Sequence, residues 1–322
     1  MTPLLSIRAL SVEFDTRHGT VHALDRLSLD IAPGEIIGII GESGSGKSVT
    51  AHAVMGILDR AARITGGEVL FQGENLLEMG RRARDGWRGR GASIIFQNPR
   101  AALNPIRAVG DQIADVVARH SSLSRRAIRA RVLELLRHVR IPDPERRARA
   151  YPFQLSGGLC QRIGIAMALA CAPRLLIADE PTTGLDVTTQ AAIMALIRER
   201  AREAGTAVAL ITHDVALAAG NCDRLAIMHA GHVVEVAPTA AILARPRHPY
   251  TAGLLRSVPS LAGSLDQLQA IPGSMPDLRR PDLPPCRFAE RCPRRLPRCD
   301  APGPLALTAC GPGHLVACRN LP

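Results

Sequence analysis

An α/β fold is predicted by three apolar, β-branched runs of strand length, residues 35–40, 175–178 and 208–212. The first runs through a Gly-rich turn into a helix-compatible segment, 49–58. The second ends in two acids, Asp179 and Glu180, and the third is followed by His213. Continuous apolar strands of this kind are what a parallel sheet buried on both faces requires.

The first strand, Glu35-Ile36-Ile37-Gly38-Ile39-Ile40, leads into Gly41-Glu42-Ser43-Gly44-Ser45-Gly46-Lys47-Ser48. This matches G-x-x-x-x-G-K-[ST], the phosphate-binding P-loop. Strand, glycine turn and helix is the order the chemistry needs. Gly41, Gly44 and Gly46 let backbone N–H groups, with Ser43 among them, curl around phosphate oxygens at a helix N-terminus. Lys47 is placed to reach the β/γ-phosphates, and Ser48 to ligate Mg²⁺. A chance glycine-rich loop is the competing explanation, and the flanking strand and helix weigh against it.

Composition narrows the choices. The chain has 322 residues and is 46% hydrophobic, enough to bury a sizeable core. No apolar run approaches the roughly 18 residues of a membrane span, and the N-terminus has no signal-peptide pattern. A cytoplasmic location is expected, with any membrane role arising through a partner. The net charge is +11, yet Lys47 is the only lysine in the chain. Where arginine serves everywhere else, one lysine marks a place for a compact point charge rather than a planar fork. Aromatics make up 2% of the chain, which argues against a base-stacking platform for single-stranded nucleic acid.

Two further motifs carry chemistry. Leu175-Leu176-Ile177-Ala178-Asp179-Glu180 has the Walker B form, in which Asp179 holds Mg²⁺ and Glu180 polarises the attacking water. Upstream, Leu155-Ser156-Gly157-Gly158 opens an apolar stretch at 163–170. Ser156 is a good N-cap, and the glycines leave amides bare, making a second anion site. This second site lacks a lysine and a Mg²⁺ ligand, so it makes sense as the completing half of a neighbouring chain's site. Taken singly, a strand with an acidic turn, a lone glutamine or a histidine after a strand is ordinary surface.

In this order the motifs resemble the ATPase subunits of ABC transporters over roughly residues 5–260. Gln97, in Ile94-Ile95-Phe96-Gln97-Asn98-Pro99, matches the Q-loop, and Gly184-Leu185-Asp186 matches the D-loop. His213 matches the switch histidine. Leu159 and Cys160 stand where the family usually has polar or basic residues, and the place of the adenine-stacking aromatic falls near His18, with Phe14 close by. The resemblance implies an ABC ATPase domain over 1–258, a P-loop core with an antiparallel β subdomain and a helical subdomain at about 98–165. A small Cys-rich extension, 259–322, follows. It implies ATP and Mg²⁺ as cofactors, with Ser48, Gln97 and Asp179 around the metal, and Glu180, His213 and Gln97 as catalytic residues. Ser156, Gly157, Gly158 and Asp186 would close the site of a second, related but non-identical ATPase subunit. Two transmembrane permease subunits and, through them, a substrate-binding protein are the further partners, at the cytoplasmic face of the cell membrane. No nucleic acid is expected.

Phe96-Gln97-Asn98-Pro99-Arg100-Ala101-Ala102-Leu103-Asn104-Pro105 and His248-Pro249-Tyr250-Thr251-Ala252-Gly253-Leu254-Leu255 resemble the oligopeptide/dipeptide/nickel importer branch. Di- or oligopeptides are the expected cargo, with nickel or another small solute as the alternative. A soluble ABC ATPase acting on nucleic acid or ribosomes is a rival, against which stand the lack of tandem domains and of a long coiled-coil insertion. A further rival makes the tail a redox sensor. Between Arg119 and Arg149 there are ten Arg against three acids. Such a run reads as a solvated face, or as a surface near anionic lipid.

Five of the eight cysteines, Cys286, Cys292, Cys299, Cys310 and Cys318, fall in the last quarter of the chain. Clustered thiols in a cytosolic chain point to metal rather than disulfides. The C-x2-4-C pairs of structural zinc sites are absent. Four widely spaced thiolates suit an iron–sulfur cluster, and some dipeptide-type ATPases, which this tail resembles, carry a [4Fe–4S] centre. Cys286, Cys292, Cys299 and Cys318 are the expected ligands and Cys310 the spare; zinc or free thiols are the alternatives. Cys160, Cys171 and Cys222 are expected to be inert packing residues.

Overall fold

The computed structural model describes residues 2–258 and 269–321, so the expected start of the extension, 259–268, lies outside the described residues. The chain divides into two compact units. One contains the residues up to Ala32, Ile36–Glu78 and everything from Leu210 onward; the other contains Pro33–Glu35 and Met79–Ala209.

The first unit holds two groups of strands. β1 (Leu5–Thr16), β2 (Gly19–Ile31), β4 (Ala62–Phe71) and β5 (Glu74–Asn75) form an antiparallel sheet ordered β2-β1-β4-β5. This is the antiparallel β subdomain that the resemblance implied. The second group runs in the order β3 (Ile36–Ile40), β9 (Arg224–His229), β10 (His232–Pro238), β12 (His314–Val316), β11 (Thr308–Gly311). β3 and β9 are parallel, and the remaining pairs are antiparallel. All five residues of β3 are buried, as its unbroken apolar sequence requires. The helices of this unit are α1 (Lys47–Met55), α9 (Val215–Ala219), α10 (Thr239–Ala244) and α11 (Pro249–Arg256).

In the second unit β6 (Ala92–Ile95) and β7 (Leu175–Asp179) pair in parallel, with Ile95 opposite Ala178. Its helices are α2 (Arg81–Trp87), α3 (Pro99–Ala102), α4 (Val109–His120), α5 (Arg125–His138), α6 (Pro144–Arg147), α7 (Gly157–Leu169) and α8 (Val187–Ala204). Within α5 Val132, Leu135 and Leu136 are buried on one face, and Ser124 caps the helix by accepting from the Ala127 N–H. Its arginines lie outward, and Arg131 and Arg137 pair with Glu134 and Glu145. The chain passes from the second unit to the first within β8 (Ala207–Thr212).

No described helix is long and apolar enough to cross a membrane. The described part of the Cys-rich tail contributes two strands, β11 and β12, to the sheet. β12 extends the sheet edge at β10, and the buried Glu235 carboxylate fastens it there. Glu235 accepts from the Arg247 N–H (2.7 Å), the His248 N–H (2.9 Å) and His314 Nε2 (2.7 Å). A fully buried carboxylate persists only when its lone pairs are filled in this way.

Candidate functional site

In the first unit, the P-loop sits between β3 and α1. Gly46, the N-cap of α1, has φ +100°, a conformation that side chains with a Cβ avoid. At Gly41 a Cβ would lie 2.1 Å from the Met228 carbonyl oxygen, so only glycine admits this approach. Lys47 is buried and donates to the carbonyls of Gly41 (2.8 Å) and Glu42 (2.9 Å). Its ammonium therefore stands inside the ring of the loop. His213 follows β8 and is exposed, while Asp214 behind it caps α9 by accepting from the Leu217 N–H. His18 is exposed in the turn between β1 and β2.

The second unit brings together residues far apart in sequence. Parallel pairing puts the C-terminal ends of β6 and β7 side by side, and the chain leaving each carries Gln97 and Glu180. Gln97 Nε2 donates to Glu180 Oε2 at 2.8 Å, and Thr183 Oγ1 donates to the same oxygen at 2.8 Å. Glu180 has φ +46°, a left-handed conformation that costs a non-glycine residue about 1–3 kcal/mol and concentrates at functional sites. Asp179, one residue earlier, is buried at the strand end. Ser156 is exposed and caps α7 by accepting from the Leu159 N–H. Asp186 caps α8, accepting from Thr189 N at 2.9 Å and Thr189 Oγ1 at 2.6 Å. A Cβ on Gly158 would lie 3.3 Å from Thr189 Cγ2, so the Ser-Gly-Gly turn and the Asp186 cap are close neighbours.

This arrangement has known counterparts. The ABC transporter family matches residues 24–183, and the oligopeptide/dipeptide transporter C-terminal region matches residues 234–299. A probable peptide ABC transporter ATP-binding protein of Sinorhizobium fredii is 47% identical, over 98% of this chain and 94% of its own. The chain belongs to the ABC transporter family. The dipeptide transport ATP-binding protein DppD of Bacillus subtilis is 46% identical, over 99% of this chain and 95% of its own. Among solved structures, the ATP-binding cassette MJ0796, a dimer in a post-hydrolysis state with ADP and Pi, superposes with a TM-score of 0.66 at 27% identity. That match covers 73% of this chain and 98% of the cassette.

Beyond the motifs shared by ABC proteins, the first unit contains a cavity lined by Cys286, Cys292, Cys299 and Cys318. Cys310 is not among its lining residues, and its thiol lies 3.5 Å from the His314 carbonyl. Burial pushes the Cys286 thiol up to about 11, with the neighbouring thiols adding to the effect, and burial also raises Cys292 and Cys318. His248 lines the same cavity. Its Nδ1 accepts from the Tyr250 N–H at 3.1 Å, so the proton belongs on Nε2. That buried Nε2 has no hydrogen-bond partner among the described residues. Burial holds the ring's pKa down to about 3, so it stays neutral in this tautomer. Among the described residues no three His, Cys, Asp or Glu side chains are grouped so as to hold one metal ion. Cys160 and Cys222 are buried, Cys171 is half-buried, and burial raises all three thiols, Cys222 to about 12.

Sequence reasoning did not find Thr183, Arg287, Arg291 or the buried Glu235. Tyr250 lies in the segment 248–255 that resembles the importer branch, yet nothing in that motif signals that its hydroxyl accepts from the Glu42 N–H of the P-loop at 3.0 Å. These are contacts between segments more than two hundred residues apart, or side chains whose types carry no spacing signal.

Proposed function

We propose that this chain is the ATP-hydrolysing subunit of a membrane importer for di- or oligopeptides. The observation that carries this reading is the joint match of its two regions, one to the ABC transporter family and one to the oligopeptide/dipeptide transporter C-terminal region. Relatives named for peptide and dipeptide transport support it along nearly the whole chain. In this reading 1–258 is the ATPase domain and 259–322 the Cys-rich extension. The amides of Ser43, Gly44 and Gly46 and the ammonium of Lys47 bind the polyphosphate. Ser48, Asp179 and Gln97 would hold Mg²⁺, which would offset the charge of the phosphates. Glu180, already oriented by Gln97 and Thr183, takes the proton of the attacking water, and His213 meets the γ-phosphate. His18 approaches the adenine. Ser156, Gly157, Gly158 and Asp186 close the site of a related, non-identical ATPase subunit. The pair drives two permease subunits at the cytoplasmic face of the membrane, which receive cargo from a substrate-binding protein. Uptake of a labelled dipeptide in a strain lacking this chain tests the reading. Loss of uptake, restored by the wild-type chain, is expected; intact dipeptide uptake with lost nickel uptake would move the protein to another cargo.

We propose that Cys286, Cys292, Cys299 and Cys318, which line one cavity, would hold a [4Fe–4S] centre. Such a cluster gives each thiolate its own iron, whereas zinc needs all four sulfurs at about 2.3 Å from one point. The Nε2–H of His248, which lines the same cavity, would be available as a donor to a bound sulfur. Bound there, the centre would act as a staple for a small tail. Anaerobic purification should give iron and sulfide with broad visible absorption; stoichiometric zinc would overturn the assignment.

A further inference from the structure

The segment between Cys286 and Cys292 holds the phosphate loop and a neighbouring turn through two buried arginines, Arg291 and Arg287. The guanidinium of Arg291 forks onto both carboxylate oxygens of Glu42, at 2.7 and 2.9 Å. Its Nε donates to the Pro272 carbonyl at 2.9 Å, and the group sits 5.7 Å from the Phe288 ring centroid. Glu42 is the second residue of the P-loop and is fixed at every polar group. Its N–H donates to the Tyr250 hydroxyl at 3.0 Å. Its carbonyl accepts from Lys47 Nζ at 2.9 Å and from the Ser45 N–H at 3.2 Å. The second arginine holds the neighbouring turn. Arg287 donates to the carbonyls of Ala230 (2.6 Å) and His22 (2.9 Å) and to Asp25 (3.2 Å). The next residue in that turn, Gly231, donates its N–H to the Ser45 carbonyl at 2.9 Å.

We propose that Arg291 is a positioning residue for nucleotide binding, holding Glu42 so that the P-loop amides stay arrayed for phosphate and cancelling the carboxylate charge beside the polyphosphate. The proposal rests on the nucleotide-binding reading of the loop, and it extends that site to the far end of the chain. Two physical effects act together. A preorganised loop does not spend binding energy on its own ordering. An unpaired carboxylate on the loop would repel a polyanion in a low-dielectric setting, where a charged neighbour matters most. A bidentate guanidinium–carboxylate pair is the strongest and most directional contact available for the task. Cys286 and Cys292 bracket this strap, so whatever fixes those two thiols also fixes Arg287 and Arg291.

The test is titration of the full-length chain with a fluorescent MgATP analogue, alongside KM and kcat for ATP hydrolysis in the assembled transporter. R291A is expected to weaken binding about tenfold, within the usual range for a coupling between neighbouring sites, and to raise KM more than it lowers kcat. R291K, which keeps the charge but loses the fork, should fall between R291A and the parent. Adding E42Q to R291A should recover part of the affinity, because the repelling charge is gone. A merely structural Arg291 would instead lower the amount of active protein with KM unchanged. That result, or a double variant no better than R291A, overturns the proposal. Should R291A not fold, R291K is read in the same titration, and parent-like affinity there overturns it equally. A parent chain that does not bind the analogue at all would sink the nucleotide-site reading itself, an outcome distinct from a binding parent with unaffected variants.

Discussion

Glu180 concentrates several features of a working base. It stands one residue beyond a buried strand, in a left-handed conformation, and one of its oxygens accepts from both Gln97 and Thr183. E180Q keeps the shape of the side chain but cannot take a proton. Turnover should fall by about two orders of magnitude or more, the usual worth of a positioned general base, while ATP binding persists. Phosphate release and nucleotide titration on the same preparation check this. Asp25 gives a pH test. Its hydrogen bond to His232, with Arg287 also nearby, holds its pKa at about 2 against an ordinary 3.8. Burial lowers the pKa of the His232 ring, against which the Asp25 hydrogen bond acts. A depressed folded-state pKa means that stabilisation is complete above about pH 4 and disappears as pH falls toward 2. D25N should therefore melt below the parent at pH 6, and the gap should close between pH 4 and 2.

At the level of elements, the tail is joined to the sheet by a strand and by one buried carboxylate. β12 pairs with β10, and Glu235 of β10 fills its lone pairs with two backbone N–H groups ahead of α11 and with His314 of β12. E235A would leave three donors without their acceptor at once, two of them buried. Breaking a buried polar set from one side costs about 3 kcal/mol, so a drop of that order in unfolding free energy is expected, with E235Q milder. Denaturant melts of the two variants decide it. Gln97 and Glu180 illustrate the same dependence on elements: 83 residues apart, they meet because β6 and β7 lie parallel with their ends in register.

At the scale of the whole molecule, one chain carries one P-loop and one Ser-Gly-Gly helix end, and Ser156 stands exposed where a second chain could approach. S156R should leave nucleotide binding by the isolated chain intact and abolish hydrolysis by the assembled transporter. Equilibrium titration of the free chain and phosphate release from the complex are the paired measurements. Wild-type turnover in the S156R complex would show that hydrolysis does not use this face.

What the sequence determined by itself was local. The P-loop, the Walker B strand, the Ser156 cap and the lone Lys47 were legible because strand–turn–helix chemistry is written in consecutive residues, where periodicity, glycine and capping rules apply. That Cys286, Cys292, Cys299 and Cys318 line one cavity and Cys310 does not is a fact of the packed tail. What only the tertiary structure decided was which distant residues meet. No local rule pairs Arg291 with Glu42, 249 positions earlier, or turns Tyr250 toward the phosphate loop. Nor does one reveal β12 in a Pro-rich tail, a strand placed by its pairing with β10 and β11. Such contacts arise when burial forces each polar group to find a partner, and that requirement is set by the packed chain rather than by any stretch of it.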